Sequence, residues 1–408
     1  MATVVFCPVT FNLAETTRMI EVARALDDSH RAVFMGYEHD FVQLIADAGF
    51  EYRACEPAWS AAERKQALDF DQGRALRSPF TRDLVSARVD VERRIIRETD
   101  AAAVVIGSNI TSLISARAEG VPLFYPVPFA LTGPQVAQTR RMHFVQGRGW
   151  LARTADRVAT TAFRWVYTRA PVAPRAFASV AEANGVPPLR TVASMLEADE
   201  NLLTVMPWEL DGYDLPDGYR RVGPIFARLD APMPPIVDDL AAASEPLVYL
   251  GLGSSADRRL ALAAAAQLGT LPVNVVAPIG HYLEPGDEVP PNVHVTGLLP
   301  AHLLGGLVDA AVLHGGQGTV QTACATGIPF VGLGLQPEQV WNVEVCVGRG
   351  NALRVPPKHV GRPEFIDAVR RVLTDPGIRE AATGVQEVFA GQDGPSAAAR
   401  LIEARISS

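Results

Sequence analysis

Asp309-Ala-Ala-Val-Leu313-His314-Gly315-Gly316-Gln317-Gly318-Thr319 is the stretch on which the reading of this chain turns. Its first residues form a short apolar run, the kind that makes a buried parallel strand. A glycine-rich turn follows, and Val320 to Thr326 reads as a helix stopped by Gly327. A strand that passes through glycines into a helix N-terminus presents free backbone N–H groups and the positive end of the helix dipole. That arrangement is a seat for phosphate. Gln317, Gly318 and Thr319 belong to the turn that leads into the helix N-terminus, and His314 is placed to add one more donor to a diphosphate. Glu338 and Gln339 then supply an anion and an amide in the next strand-end loop, suited to sugar hydroxyls. A phosphate seat followed by a hydroxyl grip describes a site for a nucleotide sugar.

The same grammar recurs throughout the chain. Thr3 to Cys7 reads as a first strand and Thr16 to Leu26 as a first helix, with Met19, Ile20, Ala23 and Leu26 at helical spacing. Arg31 to Met35 and Ala102 to Ile106 read as strands, Phe41 to Ala48 and Ser112 to Glu119 as helices closed by Gly49 and Gly120, and Leu123 to Pro126 as a further strand. Gln135 to Arg175 is rich in arginine and aromatics and reads as a helical excursion beside an acceptor pocket. Prolines 224, 232, 234, 235 and 246 are too dense for regular structure and mark a semi-rigid linker. Beyond it a second series begins at Leu247 to Leu250, followed by Gly253-Ser254-Ser255 at the strand end. Val273 to Ala277, His294 to Thr296, Ala310 to Leu313, Phe330 to Leu333 and Ala352 to Val355 are its later strands, with helices over Pro363 to Leu373 and Ser396 to Ile406. The fold class is α/β, with an N-terminal domain over 1–222, the linker over 223–246, a C-terminal domain over 247–385 and a closing helical segment over 386–408.

The 408 residues suffice for two domains with large cores. The 48 % hydrophobic and 20 % charged content is that of a globular protein. A formal net charge of −8 argues against nucleic acid as a partner. No apolar run approaches a membrane span, and Ala2 to Cys7 lacks the basic flank of a signal peptide. Cys7, Cys55, Cys324 and Cys346 lie far apart without zinc or redox spacing, and no histidines pair at metal-ligand spacing. A metal-free, cytoplasmic protein with reduced cysteines is expected, and a homodimer is compatible with the composition.

At this point the residues match a family. His314-Gly315-Gly316, Gly327-Ile328-Pro329, Glu338-Gln339, Asn342 and Gly348-Arg349-Gly350 stand in the order seen in bacterial members of the inverting UDP-glycosyltransferase family 1, which includes the macrolide glycosyltransferases. The resemblance extends to Arg18 with Val22-Ala23, to Ala118-Glu-Gly120-Val-Pro122 and to Val222-Gly223-Pro224. It implies the GT-B fold: two Rossmann-like domains facing a cleft, with the last helix crossing back to the N-terminal domain. It further implies a donor nucleotide sugar in the C-terminal half, an acceptor in the N-terminal half, and no cofactor beyond the UDP- or TDP-sugar co-substrate. Gly253, Ser254, Ser255 and the backbone at Leu299 join the residues above on the donor side.

The sequence departs from this family at the base. Members usually carry a histidine after the first strand, oriented by an aspartate after a later one. Here the first position falls on Glu15, preceded by Ala14, and the second on Gly107-Ser108-Asn109; no histidine occurs before His30. Glu15 needs no explanation beyond that of an acid favoured by a helix N-terminus; the alternative is a substitute base. Ser108 is its candidate companion, with Asn12, Asn109 and His143 on the acceptor side. Trp150, Trp165 and Tyr167 would line an aromatic pocket or pack the helices. The leading expectation is a hexosyltransferase acting on a natural-product acceptor. A nucleotide-sugar 2-epimerase on the same fold and a non-catalytic relative are the alternatives; only the first needs an acceptor to turn over.

Overall fold

A computed structural model describes residues 1–71, 78–145 and 149–407, without the side chains of 68–71. Residues 146–148 of the expected helical excursion therefore lie outside the described residues. The chain forms two compact units, one of residues 1–225 with 393–408 and one of residues 226–392.

The first unit holds strands β1 (Thr3–Cys7), β2 (Arg31–Gly36), β3 (Glu51–Ala54), β4 (Ala101–Ile106), β5 (Leu123–Val127), β6 (Glu200–Leu203) and β7 (Tyr219–Arg221) in the order β3-β2-β1-β4-β5-β6-β7, all parallel. Its helices are α1 (Leu13–Arg24), α2 (Val42–Asp47), α3 (Ala61–Asp71), α4 (Arg82–Glu98), α5 (Thr111–Ala118), α6 (Gly133–Gln138), α7 (Trp150–Thr168) and α8 (Arg175–Ala183). Helices on both faces bury β1 completely, which is why Thr3 to Cys7 reads as an unbroken rather than alternating apolar run. Phe6 stacks on Phe34 at 5.0 Å between ring centroids.

In the second unit α9 (Pro235–Ala241) leads into β8 (Leu247–Gly251), α10 (Arg258–Leu268), β9 (Asn274–Ala277), β10 (Val293–Val295), β11 (Ala310–Leu313), α11 (Gln317–Thr326), β12 (Phe330–Gly332), α12 (Pro337–Arg349), β13 (Ala352–Arg354), α13 (Pro363–Thr374) and α14 (Pro376–Ala390). The sheet order is β10-β9-β8-β11-β12-β13, again parallel. The final helix, α15 (Gly394–Ile406), belongs to the first unit, where Ala398, Ala399 and Ile402 enter the core with Val4, Phe6 and Ile20. Gly394 is required there, because a Cβ would strike the carbonyl oxygens of Pro224 and Gly223.

Several expectations are corrected. The proline-dense segment is not wholly irregular: Pro235 opens α9, since proline at the first helical position loses no hydrogen bond. The first helix starts at Leu13 rather than Thr16, because the Asn12 side chain caps the N–H groups of Ala14 and Glu15. The segment expected as a loop at Glu338 and Gln339 is the first turn of α12. β3, α3 and α4 fill a stretch for which periodicity offered no reading.

In each sheet the strand order reverses once, between β1 and β4 and between β8 and β11. At such a point the loops leaving the two strands diverge and open a crevice beyond their carboxyl ends, the usual ligand position in open α/β sheets. β1 and β4 run from Val4 opposite Ala103 to Cys7 opposite Ile106, and β8 and β11 from Val248 opposite Ala310 to Gly251 opposite Leu313. Glu15 and Ser108 flank the first reversal, and Gly253 and His314 the second.

Candidate active site

Of the residues expected on the donor side, Gly253, Ser255, His314, Gly315, Gly316 and Gln339 meet at the reversal between β8 and β11. Gly315 takes φ +102°, and a Cβ there would meet the Gln339 carbonyl oxygen at 2.9 Å, so only glycine lets the turn pass beneath α12. Gly316 then stands at the N-cap of α11 with no side chain capping the helix. The first-turn amides, at Gln317, Gly318 and Thr319, leave the dipole's positive end uncapped, where a negative charge would gain about 0.3–1 kcal/mol and up to about 2 where partly buried.

His314 is buried, and its Nδ1 lies 3.2 Å from the Gly251 carbonyl oxygen. A carbonyl only accepts, so Nδ1 carries the proton and the neutral ring presents Nε2 as an acceptor. Burial pushes the imidazole below its ordinary range, partly offset by the bond to Gly251. The ring fits because both neighbours lack side chains: a Cβ on Gly253 would meet its Cε1 at 2.7 Å, and one on Gly316 would strike Nε2. Contrary to the expectation from the sequence, neutral His314 is not a ready donor; it donates from Nε2 only as the imidazolium.

Gln339 is also more occupied than expected. Its Nε2 donates to Ser255 Oγ at 3.1 Å and its Oε1 accepts from the Leu335 N–H at 3.1 Å, which fixes the loop after β8 to the start of α12. Glu338 is half-buried and accepts from Asn342 Nδ2 at 2.9 Å, while the same amide donates to the Gly315 carbonyl at 3.0 Å. Asn342, seen in the sequence only as part of a signature, is thus the bolt between α12 and the glycine turn. Gly253, at φ +58°, accepts at its carbonyl from Tyr282 Oη at 2.6 Å and from His281 Nε2 at 3.1 Å. These two residues had no signal in the sequence, because they sit in a single 3-10 turn after β9, too short to leave a periodic pattern. Ser254 is exposed beside them. Leu299 buries its side chain, and its carbonyl accepts from the Ala301 N–H at 2.8 Å, so that oxygen is already engaged.

The first unit brings Glu15 and Ser108 together. Asn12 starts α1 and points Glu15 back at the strand ends, where its carboxylate accepts from the Val9 N–H at 3.1 Å and the Ser108 N–H at 3.0 Å. Ser108 Oγ donates to Oε1 of the same carboxylate. Glu15 is buried, whereas Ser108 is exposed. Gly107 makes this possible, since any Cβ there would strike the carboxylate.

Asn109 turns away from this pair. It is buried, donating to Glu92 Oε1 at 3.2 Å and to Ser112 Oγ at 2.9 Å. Glu92, which periodicity could not reveal, is fully buried and also accepts from Tyr37 Oη at 2.8 Å and from the hydroxyls of Thr111 and Ser115 at 2.5 Å each. Burial pushes its carboxyl up, and the network anchors the loop that carries Ser108. His143 lies exposed on the segment before α7, where its backbone N–H bonds the Asp156 carboxylate. The aromatic group divides: Tyr167 is buried and bonds the Leu131 carbonyl, but Trp150 and Trp165 face solvent.

Residues 263–404 match the family described as erythromycin biosynthesis protein CIII-like, C-terminal domain. A PGL/p-HBAD biosynthesis glycosyltransferase of Mycobacterium tuberculosis is 26 % identical over 389 residues, covering 92 % of this chain and 86 % of that protein. The 4'-demethylrebeccamycin synthase of Lentzea aerocolonigenes is 33 % identical over 211 residues, 50 % of this chain and 49 % of that one. Among solved structures, the glycosyltransferase VinC in complex with dTDP superposes with a TM-score of 0.67 at 20 % identity over 99 % of both chains. The chain is a glycosyltransferase of the two-domain GT-B class. Within that class it is similar to bacterial natural-product enzymes.

Proposed function

We propose that the protein is an inverting transferase that moves a sugar from a UDP- or TDP-sugar to a small-molecule acceptor, with Ser108 and Glu15 taking the acceptor's proton. The observation that carries this reading is the exposed Ser108 hydroxyl bonded to the buried Glu15 carboxylate at the first strand reversal. An acceptor O–H or N–H donates to Ser108 Oγ as the serine proton passes to Glu15 Oε1. The acceptor lone pair attacks the anomeric carbon, and the bond from that carbon to the phosphate oxygen breaks. Its electron pair leaves on the nucleoside diphosphate, whose charge is met by the N-terminus of α11. The reaction therefore needs neither a metal nor a cofactor. VinC's bound dTDP supports a thymidine or related diphosphate as the leaving group. A donor-only epimerase has no use for an acceptor-activating pair, and a binding-only relative has no use for a proton acceptor. The four cysteines, all free and buried, suit the reducing cytoplasm, where this reading places the protein. Among the described residues no helix is long and apolar enough to cross a membrane.

The test is turnover of UDP- and TDP-sugars with and without an acceptor panel, with the product's anomeric configuration read by NMR. Consumption of donor without acceptor, or product of retained configuration, would overturn the reading.

Two further outcomes follow from the donor side. His314→Ala should weaken UDP or TDP binding by about 1.5–3 kcal/mol, the worth of a hydrogen bond to a charged group. Because the free site holds the ring neutral below its ordinary range, a diphosphate must raise that pKa and take up a proton on binding. Affinity should therefore rise as pH falls through the window between the raised and lowered values, and His314→Ala should flatten it. Calorimetry in buffers of different ionisation enthalpy measures the proton directly; no uptake would remove His314 from the diphosphate.

Glu338→Ala should harm binding of the nucleotide sugar far more than that of the bare nucleotide. Gln339→Ala, which unties Ser255 from α12, should harm both. Equal losses of the two ligands in Glu338→Ala would reduce Glu338 to a structural partner of Asn342.

A further inference from the structure

The outward face of α7 is apolar where a surface helix is ordinarily polar. Leu151, Val158 and Trp165 recur at a spacing close to two helical turns, which stacks them in one row. They are exposed by 64, 65 and 58 %, and Trp150 at the start of the helix by 68 %. Thr154, Ala155, Thr161 and Ala162 fill the same exposed face, and no charged residue interrupts it. The helix cannot roll to hide this row, because its other side is tied down. Asp156 is held by Arg141 at 2.9 Å, Thr160 accepts from the Met142 N–H at 3.0 Å, and Tyr167 Oη donates to the Leu131 carbonyl at 2.5 Å.

The rim of the row is cationic. Arg157 runs along one edge, Arg169 follows the last turn, and Arg140 and Arg175 flank the helix in the chain, all exposed. From Thr139 to Arg175 the sequence carries eight arginines and a single acid, the buried Asp156, in a protein whose formal net charge is −8.

We propose that this face docks the protein on an anionic membrane surface, with α7 lying in the headgroup plane. Tryptophan suits that boundary, its ring being apolar at one end and a hydrogen-bond donor at the other. A helix with an apolar row, tryptophans and an arginine rim binds through buried apolar area together with attraction to lipid phosphates. A second copy is disfavoured as the occupant. It would set Arg157 against Arg157 with no outward acid on either helix to answer the charge.

Sedimentation of the full chain with phosphatidylglycerol vesicles, against phosphatidylcholine vesicles, tests this. The protein should partition onto the anionic vesicles with a blue shift in tryptophan emission, and added salt should release it. Arg157→Gln and Arg169→Gln should each weaken partitioning about fivefold, from about 1 kcal/mol per charge near the surface. Trp165→Ser should weaken it about tenfold or more. Arg370→Gln, an exposed arginine on α13, should leave partitioning unchanged. Absence of binding to phosphatidylglycerol at low salt, equal binding to both lipids, or an equal loss in Arg370→Gln would overturn the proposal. A dimer that Trp165→Ser dissolves, without vesicle binding, would assign the face to a second copy instead.

Discussion

Glu15→Gln is expected to cut turnover about 10²–10⁴-fold, the usual contribution of acid–base catalysis, while binding of the bare nucleotide changes little. The amide keeps the shape of the carboxylate. One of its two oxygens becomes an NH2 group, which cannot accept from the Val9 N–H, the Ser108 N–H or Ser108 Oγ. The proton from the acceptor then has nowhere to go. Nucleotide binding is spared because Glu15 belongs to the first unit and the phosphate seat to the second. Ser108→Ala separates relay from direct contact. If the acceptor reaches the carboxylate only through the serine hydroxyl, the alanine variant should lose nearly as much as Glu15→Gln. The double variant should then lose no more than either single one, as residues acting as a unit do. The pH profile adds an independent reading: with no histidine in the pair, kcat should show no imidazole-type inflection near about 6.5. A full rate in Glu15→Gln together with such an inflection would move the base to a histidine, with His143 and His39 the first to replace.

The second large effect is expected from the smallest change. Gly316→Ala should weaken nucleotide binding on the order of 10–100-fold, the equivalent of the 1–3 kcal/mol that overpacking usually costs. The added Cβ would strike His314 Nε2, and the ring has little room to yield. It is buried, tied through Nδ1 to Gly251, and backed by Gly253, where a Cβ would already meet it at 2.7 Å. Either the imidazole swings out and loses Gly251, or the start of α11 moves and its amides no longer converge on the phosphates. The double variant should bind no more weakly than His314→Ala alone, because that change removes the atom the new Cβ would strike. Titration calorimetry of both single variants and the double variant measures the coupling. Additive losses would mean the alanine acts elsewhere, through the helix end itself.

The sequence by itself determined the alternation of strand and helix, the glycine turn at His314 and the order of the donor signature. Those features are local: burial on both faces makes β1 and β11 continuous apolar runs, and a turn with φ +102° demands glycine wherever it occurs. The amphipathic helices that close each layer, such as α13 with Phe365, Val369 and Val372 inward, are legible for the same reason. What the tertiary structure alone decided concerns residues far apart in the chain. The sequence nominated Glu15 and Ser108 separately, but only the register of β1 against β4 sets the serine hydroxyl on the carboxylate. Asn109 looked equally available, yet a buried Glu92 on a helix with no clear signature draws it inward. His314 was legible as a residue of the phosphate turn, whereas its protonation state depends on a carbonyl from another strand. Gln339 was legible as polar, and its occupation by Ser255 and Leu335 was not. Hydrogen bonds between strand-end loops are set by which strands lie side by side, and that order is a property of the assembled sheet rather than of any window of sequence.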